Sequence, residues 1–322
     1  MVREADGALS PEQKRRVAEL YVGKGVLAAT PERWREDTNV EAEAVLRASE
    51  RDQFFTPPFV GAFLATLLQI PRGAFVYDPA VGSGRMFLEL SGLESHVLVS
   101  GTEIDPEACE VARALLGKNA LVVNDDLIHY REVSARFTYC LGNPPFVTWL
   151  KDEGRVYRAT NDQGRVPAMF AFMENAILAL EQGGLLAVVV PRGWRQTDVV
   201  PEPFAQWFDS QVQLLLQIAV SASLFVRAGS GDDEWLVFSM EVFQKSVGGA
   251  EDAAGIPPVK LDRLLPSREI ETLARLPLTA LYASCPELRL FGAAYGALLA
   301  GTAGKARRGV RPQPLLQAGG GL

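Results

Sequence analysis

Between about residues 75 and 243 the apolar positions fall into short, near-continuous runs, each closed by a polar residue, a glycine or a proline. The runs are Phe75-Val76-Tyr77, His96 to Thr102, Ala120 to Asn124, Phe137 to Leu141, Leu185 to Val190, Val212 to Val220 and Trp235 to Phe243. Runs of this kind lack the alternation of a strand with one wet face, so they predict strands covered on both faces, the pattern of a parallel sheet. Longer segments with helical spacing lie between them: Phe59 to Leu68, Glu107 to Leu116 after Pro106, Ala168 to Leu180, and a stretch around Phe204 to Phe208. Strands alternating with helices imply an open, mostly parallel sheet with helices on both faces. An apolar helix is also expected directly after Gly84.

The flanks are patterned differently. Residues 1–50 read as short helices, one opened by Ser10-Pro11-Glu12 with serine as cap and proline at the first helical position. A second, strongly charged one lies near Glu41 to Ala48. Residues 51–246 form the main domain. From 247 the pattern weakens into a Gly/Ala/Pro-rich linker, one helix near Ser267 to Leu276, and a Gly-rich basic tail from Gly301 that is expected to be disordered.

Composition narrows the chemistry. The chain has 322 residues, 48% hydrophobic and 22% charged, enough for a large core, and a formal net charge of −7. Its first residues are polar and no run approaches a membrane span, so a cytoplasmic, non-membrane protein is expected. Three scattered cysteines and two histidines leave little material for a disulfide framework or a metal site, and none is expected. The net charge argues against a nucleic-acid binder as a whole. Lys151, Arg155, Arg158, Arg165, Arg192 and Arg195, however, could form a local basic lip.

The strand ends carry the candidate chemistry. Phe75-Val76-Tyr77-Asp78 runs into Pro79-Ala80-Val81-Gly82-Ser83-Gly84, the strand and glycine loop that open a Rossmann-like sheet. The next strand ends at Glu103-Ile104 and the third at Asp125-Asp126-Leu127, so three consecutive strands finish in carboxylates. The fourth ends in Gly142-Asn143-Pro144-Pro145-Phe146. There the prolines forbid both a continuing strand and an immediate helix. Asn143 offers a side-chain carbonyl and Pro144 a backbone carbonyl, two acceptors for the hydrogens of a planar NH2 group, while an exposed Phe146 could stack on the ring bearing it. Two neutral acceptors direct the lone pair of such a poor nucleophile at an electrophile without a strong base.

In this order the motifs resemble the S-adenosylmethionine-dependent N6-adenine DNA methyltransferases, in their gamma class, over roughly residues 54 to 245. The resemblance implies a class I methyltransferase fold, a seven-stranded sheet with an antiparallel last strand. It also implies that S-adenosylmethionine is held by Phe55, Thr56, Pro57, Asp78, Pro79, Ala80, Gly82, Gly84, Glu103, Ile104, Asp125, Asp126, Leu127 and Asn143. Glu103 would meet its ribose, and Asp126 or Asp125 its adenine. Asn143, Pro144, Pro145 and Phe146 would form the catalytic loop, receiving an adenine flipped out of double-stranded DNA. Members of the family usually carry a substantial C-terminal target-recognition domain. The short region here points to a specificity or restriction subunit as partner, a shortened gene, or slight specificity. Glutamine methyltransferases, ribosomal-RNA adenine methyltransferases and a catalytically silent methyltransferase-fold subunit are the competing readings.

Overall fold

The structure, a computed structural model, describes residues 54–90, 97–129, 137–146, 148–196, 200–221, 224, 226–227, 237–247 and 257–308. The two N-terminal helices expected from sequence and the end of the tail lie outside these residues. In chain order the strands are β1 (Phe54–Phe55), β2 (Phe75–Asp78), β3 (Leu98–Glu103), β4 (Ala120–Asn124), β5 (Phe137–Gly142), β6 (Trp149–Lys151) and β7 (Arg165–Pro167). They continue as β8 (Leu180–Pro191), β9 (Val212–Ser221), β10 (Val226–Arg227), β11 (Val237–Lys245) and β12 (Val259–Leu265). The α-helices are α1 (Pro58–Leu67), α2 (Pro106–Leu116), α3 (Ala168–Ala179), α4 (Glu202–Gln211), α5 (Ser267–Ala274), α6 (Leu278–Ser284) and α7 (Pro286–Arg308).

Eight strands make the main sheet, in the order β12-β9-β11-β8-β5-β2-β3-β4. β11 runs antiparallel to both of its neighbours, β8 and β9, and the other pairings in the sheet are parallel. The expected sheet is therefore present, with one strand more than predicted: β12 adds to the edge beyond β9. The chain builds β2, β3 and β4 outward in one direction, then returns to place β5 on the other side of β2. That reversal leaves a crevice between the carboxyl ends of β2 and β5, where open α/β sheets bind ligands. Register brings the acids and the Asn-Pro-Pro loop to one edge, with Asp78 opposite Gly101, Glu103 opposite Asn124 and Gly142 opposite Val188.

Apolar side chains cover both faces. On one, Val60, Phe63, Leu64 and Leu67 of α1 and Cys109, Ala112 and Leu116 of α2 share a core with Ile270, Leu273, Leu281, Leu288, Phe291 and Leu299 of the C-terminal helices. On the other, Phe170, Phe172, Met173, Ala176 and Ile177 of α3 pack with Phe204 and Phe208 of α4 and with Trp194. Trp194 is held there by its indole N–H, which donates to the buried Glu241 carboxylate at 3.0 Å.

Three local expectations are corrected. Thr56-Pro57 before the first helix reads as an N-cap followed by the first helical residue, but Pro57 occupies the cap position without a side-chain bond, and Thr56 is buried. No α-helix follows the glycine loop among the described residues; Arg85–Phe87 is a single 3-10 turn, with Met86 and Phe87 buried. The pattern indicates one helix beyond residue 247, whereas the structure has a strand and three helices, with α7 running through Gly301 and Gly304 to Arg308. Their side chains complete the core under β9, which is why they fold rather than remain a tail. Phe54 and Phe55, which precede α1, pair their backbone with Arg227 and Val226 of β10.

Candidate active site

The loop after β2 is tied down by acids from two strands. Asp78 is buried, and its Oδ1 accepts the Ala80 N–H at 2.9 Å. Glu103 spans two backbone donors, Gly82 N–H at 2.8 Å on one oxygen and Asp105 N–H at 2.7 Å on the other. Val81 N–H donates to the Thr102 carbonyl at 2.9 Å, and the Thr102 hydroxyl donates to the Pro79 carbonyl. The two glycines serve different needs. Both are left-handed, with φ of 58° at Gly82 and 72° at Gly84, a region that favours glycine. A Cβ on Gly82 would meet nothing within 4 Å, whereas one on Gly84 would lie 2.9 Å from Leu116 Cδ1. Gly82 is thus open to a ligand, and Gly84 lets α2 pack closely.

Burial dominates the electrostatics of Asp78. Loss of solvation pushes its carboxyl up to about 8; the Ala80 N–H opposes this and the charge of Glu103 adds to it. Its Oδ1 also faces Gly142, the last residue of β5. A Cβ there would lie 2.9 Å from that oxygen and 2.4 Å from Cζ of the fully buried Phe172. Gly142→Ala is therefore expected to cost about 1–3 kcal/mol of stability through overpacking and to shift the Asp78 carboxyl. Urea unfolding would measure this, and a variant as stable as the parent would contradict it.

Around these groups lies a cavity of about 270 Å³. It brings together Thr56, Asp78, Pro79, Ala80, Gly82, Glu103, Ile104, Asp125, Asp126, Leu127, Asn143, Pro144 and Pro145, all expected from sequence. Pro57, Gly84 and Phe146 are not among its lining residues. Phe146 is half-buried instead, tilted against Phe238 with ring centroids 5.3 Å apart. Both Asp125 and Asp126 reach the cavity wall. Asp126 Oδ1 accepts the N–H groups of Ile128 and His129 at 2.8 and 2.9 Å, and Asp125 Oδ1 accepts the Asp126 N–H at 2.9 Å. Sequence reasoning missed Thr102, Met86, Ala108, Thr148, Leu150 and Ala168 on the lining.

Residues 40–197 match the profile of the N-6 DNA methylases. That segment is similar to the N-6 DNA methylase family. Over 158 residues the chain is 31% identical to the type II methyltransferase M.TthHB8I of Thermus thermophilus, covering 44% of this chain and 35% of that protein. Over 160 residues it is 24% identical to the methylase subunit of the type I restriction enzyme HindI of Haemophilus influenzae, covering 44% and 35%. The chain thus spans well under half the length of the curated relatives it matches. Among solved structures, the fold is similar to a protein described as a class I S-adenosylmethionine-dependent methyltransferase from Listeria monocytogenes (TM-score 0.55, 18% identity, 80% of each chain). It is also similar to a modification subunit of a type I restriction enzyme from Vibrio vulnificus (TM-score 0.54, 16% identity, 86% of this chain and 58% of that one). The expected fold, that of the class I methyltransferases, is the one observed.

The segment similar to the N-6 DNA methylases fits S-adenosylmethionine as cofactor. Three carboxylates (Glu103, Asp125 and Asp126), with the buried Asp78 carboxyl beside them, face one cation, Arg85, on the cavity wall. Such a wall repels the phosphates of a dinucleotide and suits a ligand that carries a sulfonium, an ammonium and a sugar diol. Each Glu103 oxygen has a second lone pair beyond the backbone N–H it holds, so it could accept from a hydroxyl. Ile104, 54% exposed, and the buried Leu127 add apolar surface to the same cavity.

Proposed function

We propose that this chain methylates the N6 amino group of adenine in double-stranded DNA, with the base turned out of the duplex. Asn143-Pro144-Pro145 bordering an acidic cavity at the β2/β5 crevice carries this reading. When bound, S-adenosylmethionine supplies an electrophilic methyl group on a sulfonium. The chain's own residues do the rest. Glu103 and the Gly82 backbone hold the sugar side of the site, and Asp125, Asp126 and Leu127 border its base side. Asn143 Oδ1 and the Pro144 carbonyl accept the two N6 hydrogens, which aligns the nitrogen lone pair with the methyl carbon. As the N–C bond forms, the sulfur–carbon bond breaks, and the extra proton on nitrogen leaves to water. Phe146, tilted on Phe238, stands at the loop's end, where a ring entering the site would meet it.

Two similar proteins are named as subunits of restriction enzymes, and the chain spans only 35% of the one from Haemophilus influenzae. A setting in restriction–modification, with target recognition supplied by a partner subunit, follows from this as part of the proposal. The deciding experiment incubates the protein with labelled S-adenosylmethionine and unmethylated genomic DNA, then digests the DNA to nucleosides. Label in N6-methyladenine is expected. Label in N4-methylcytosine, or methylation of a protein amide with none in DNA, would overturn the reading.

A further inference from the structure

Three residues after Phe146 the chain enters a hairpin that the catalytic reading leaves unused. β6 and β7 pair antiparallel, with Trp149 opposite Pro167, Leu150 opposite Val166 and Lys151 opposite Arg165. Alternation gives it two unlike faces. Leu150 lines the cavity and Val166 is fully buried, while Trp149, Lys151 and Arg165 are exposed. Its connecting loop is well anchored. The fully buried Asp152 accepts the N–H groups of Val156 and Tyr157, each at 2.9 Å, and the Thr160 hydroxyl. The Tyr157 hydroxyl donates to the Leu127 carbonyl, which ties the loop to the wall beside Asp125 and Asp126.

The exposed face has an electrostatic fault. Like charges directly opposite across a strand pair repel, and here Lys151 faces Arg165. Among the described residues neither meets a carboxylate at ion-pair distance; Arg165 instead lies over the Trp149 ring, 5.9 Å from its centroid. The loop's exposed acids, Glu153 and Asp162, leave this pair uncompensated. The other candidates for a basic lip are already engaged: Arg158 with Glu174, Arg192 with Asp262, Arg195 with Asp209, and Arg155 with the Asp162 carbonyl.

We propose that this face grips the DNA backbone, with Lys151 and Arg165 each neutralising a phosphate beside the turned-out nucleotide and Trp149 holding Arg165 in place. The proposal rests on the DNA-methylation reading, since the anions nearest a base seated beside Leu150 are the phosphates of its own strand. An anion between the two cations converts their repulsion into shared attraction, and the rigid loop holds the pair while the other hairpin face shapes the cavity.

The test measures binding of a fluorescein-labelled DNA duplex by anisotropy, between about 50 and 200 mM salt, for the parent, Lys151→Gln/Arg165→Gln and Trp149→Ala. In the double variant the affinity should fall about tenfold or more, and the slope of log affinity against log salt should flatten by about 1.8, or 0.9 for each phosphate lost. Its affinity for S-adenosylmethionine should be unchanged, which a general folding defect would not allow. Trp149→Ala should weaken binding with a smaller change of slope. A double variant with the parent's affinity and slope, while the parent still makes N6-methyladenine, overturns the hairpin proposal alone. A parent that neither binds nor methylates DNA overturns both readings.

Discussion

Asn143→Ala is expected to lower methyl transfer by at least about 100-fold while leaving affinity for S-adenosylmethionine within about twofold. The magnitude is that of removing one preorganised polar partner from a reacting group, about 10²–10³ in rate. The separation of effects follows from position. Asn143 sits past the end of β5, where the register Gly142 to Val188 fixes its backbone, and β2 separates that strand from β3 and β4, which lead to Glu103, Asp125 and Asp126. Truncating it removes an acceptor for the amine and leaves the cofactor wall intact. Single-turnover transfer to DNA, with cofactor affinity by calorimetry, separates the two quantities. An equal loss in both would show that Asn143 belongs to the cofactor site.

The second large effect is a pH dependence. With its carboxyl pushed up to about 8 by burial, Asp78 is neutral in the folded protein at pH 7, although an exposed aspartate ionises near 3.8. The folded state therefore binds a proton that the unfolded state has released. Its stabilising contribution is complete below about pH 4 and is lost as pH rises toward about 8, at up to about 1.4 kcal/mol per pH unit. Asp78→Asn keeps an acceptor for the Ala80 N–H and removes the titration. Urea midpoints between pH 5 and 9 should then show the parent losing stability relative to the variant up to about pH 8, and no further divergence above it. Parallel curves would place the Asp78 carboxyl in the ordinary range. A cationic ligand beside Asp78 favours the ionised form, so on the proposed reading cofactor affinity in the parent rises with pH over the same window and Asp78→Asn loses that slope.

The site was legible in sequence wherever its residues end a buried parallel strand, because apolar runs mark the strands and the residues that stop them sit at the sheet edge. Asp78, Glu103, Asp125, Asp126 and Asn143 were all found in that way, and all line one cavity. What remained hidden depends on contacts distant in sequence or on elements too short for a pattern. Phe146 turns against Phe238, far along the chain, so its half-burial has no local signal. β6 and β7 are three residues each and sit inside a polar stretch that reads as loop. β12 buries only Leu261 and Leu265, so no apolar run announces it. α7 carries several glycines and a basic end, the composition of a tail, and folds because Leu288, Phe291, Tyr295 and Leu299 find an apolar face to cover.

That face belongs partly to α1, the helix that leads into the first strand of the sheet, and partly to β9, near its far edge. Ile270 and Leu273 of α5 share one core with Phe63, Leu64 and Leu67. The last described elements thus act as a clasp between the beginning of the sheet and its end. Local opening of the clasp would uncover the helix that carries Thr56 to the cavity wall, so cooperativity links the chain's final turns to the occupancy of a pocket they do not line.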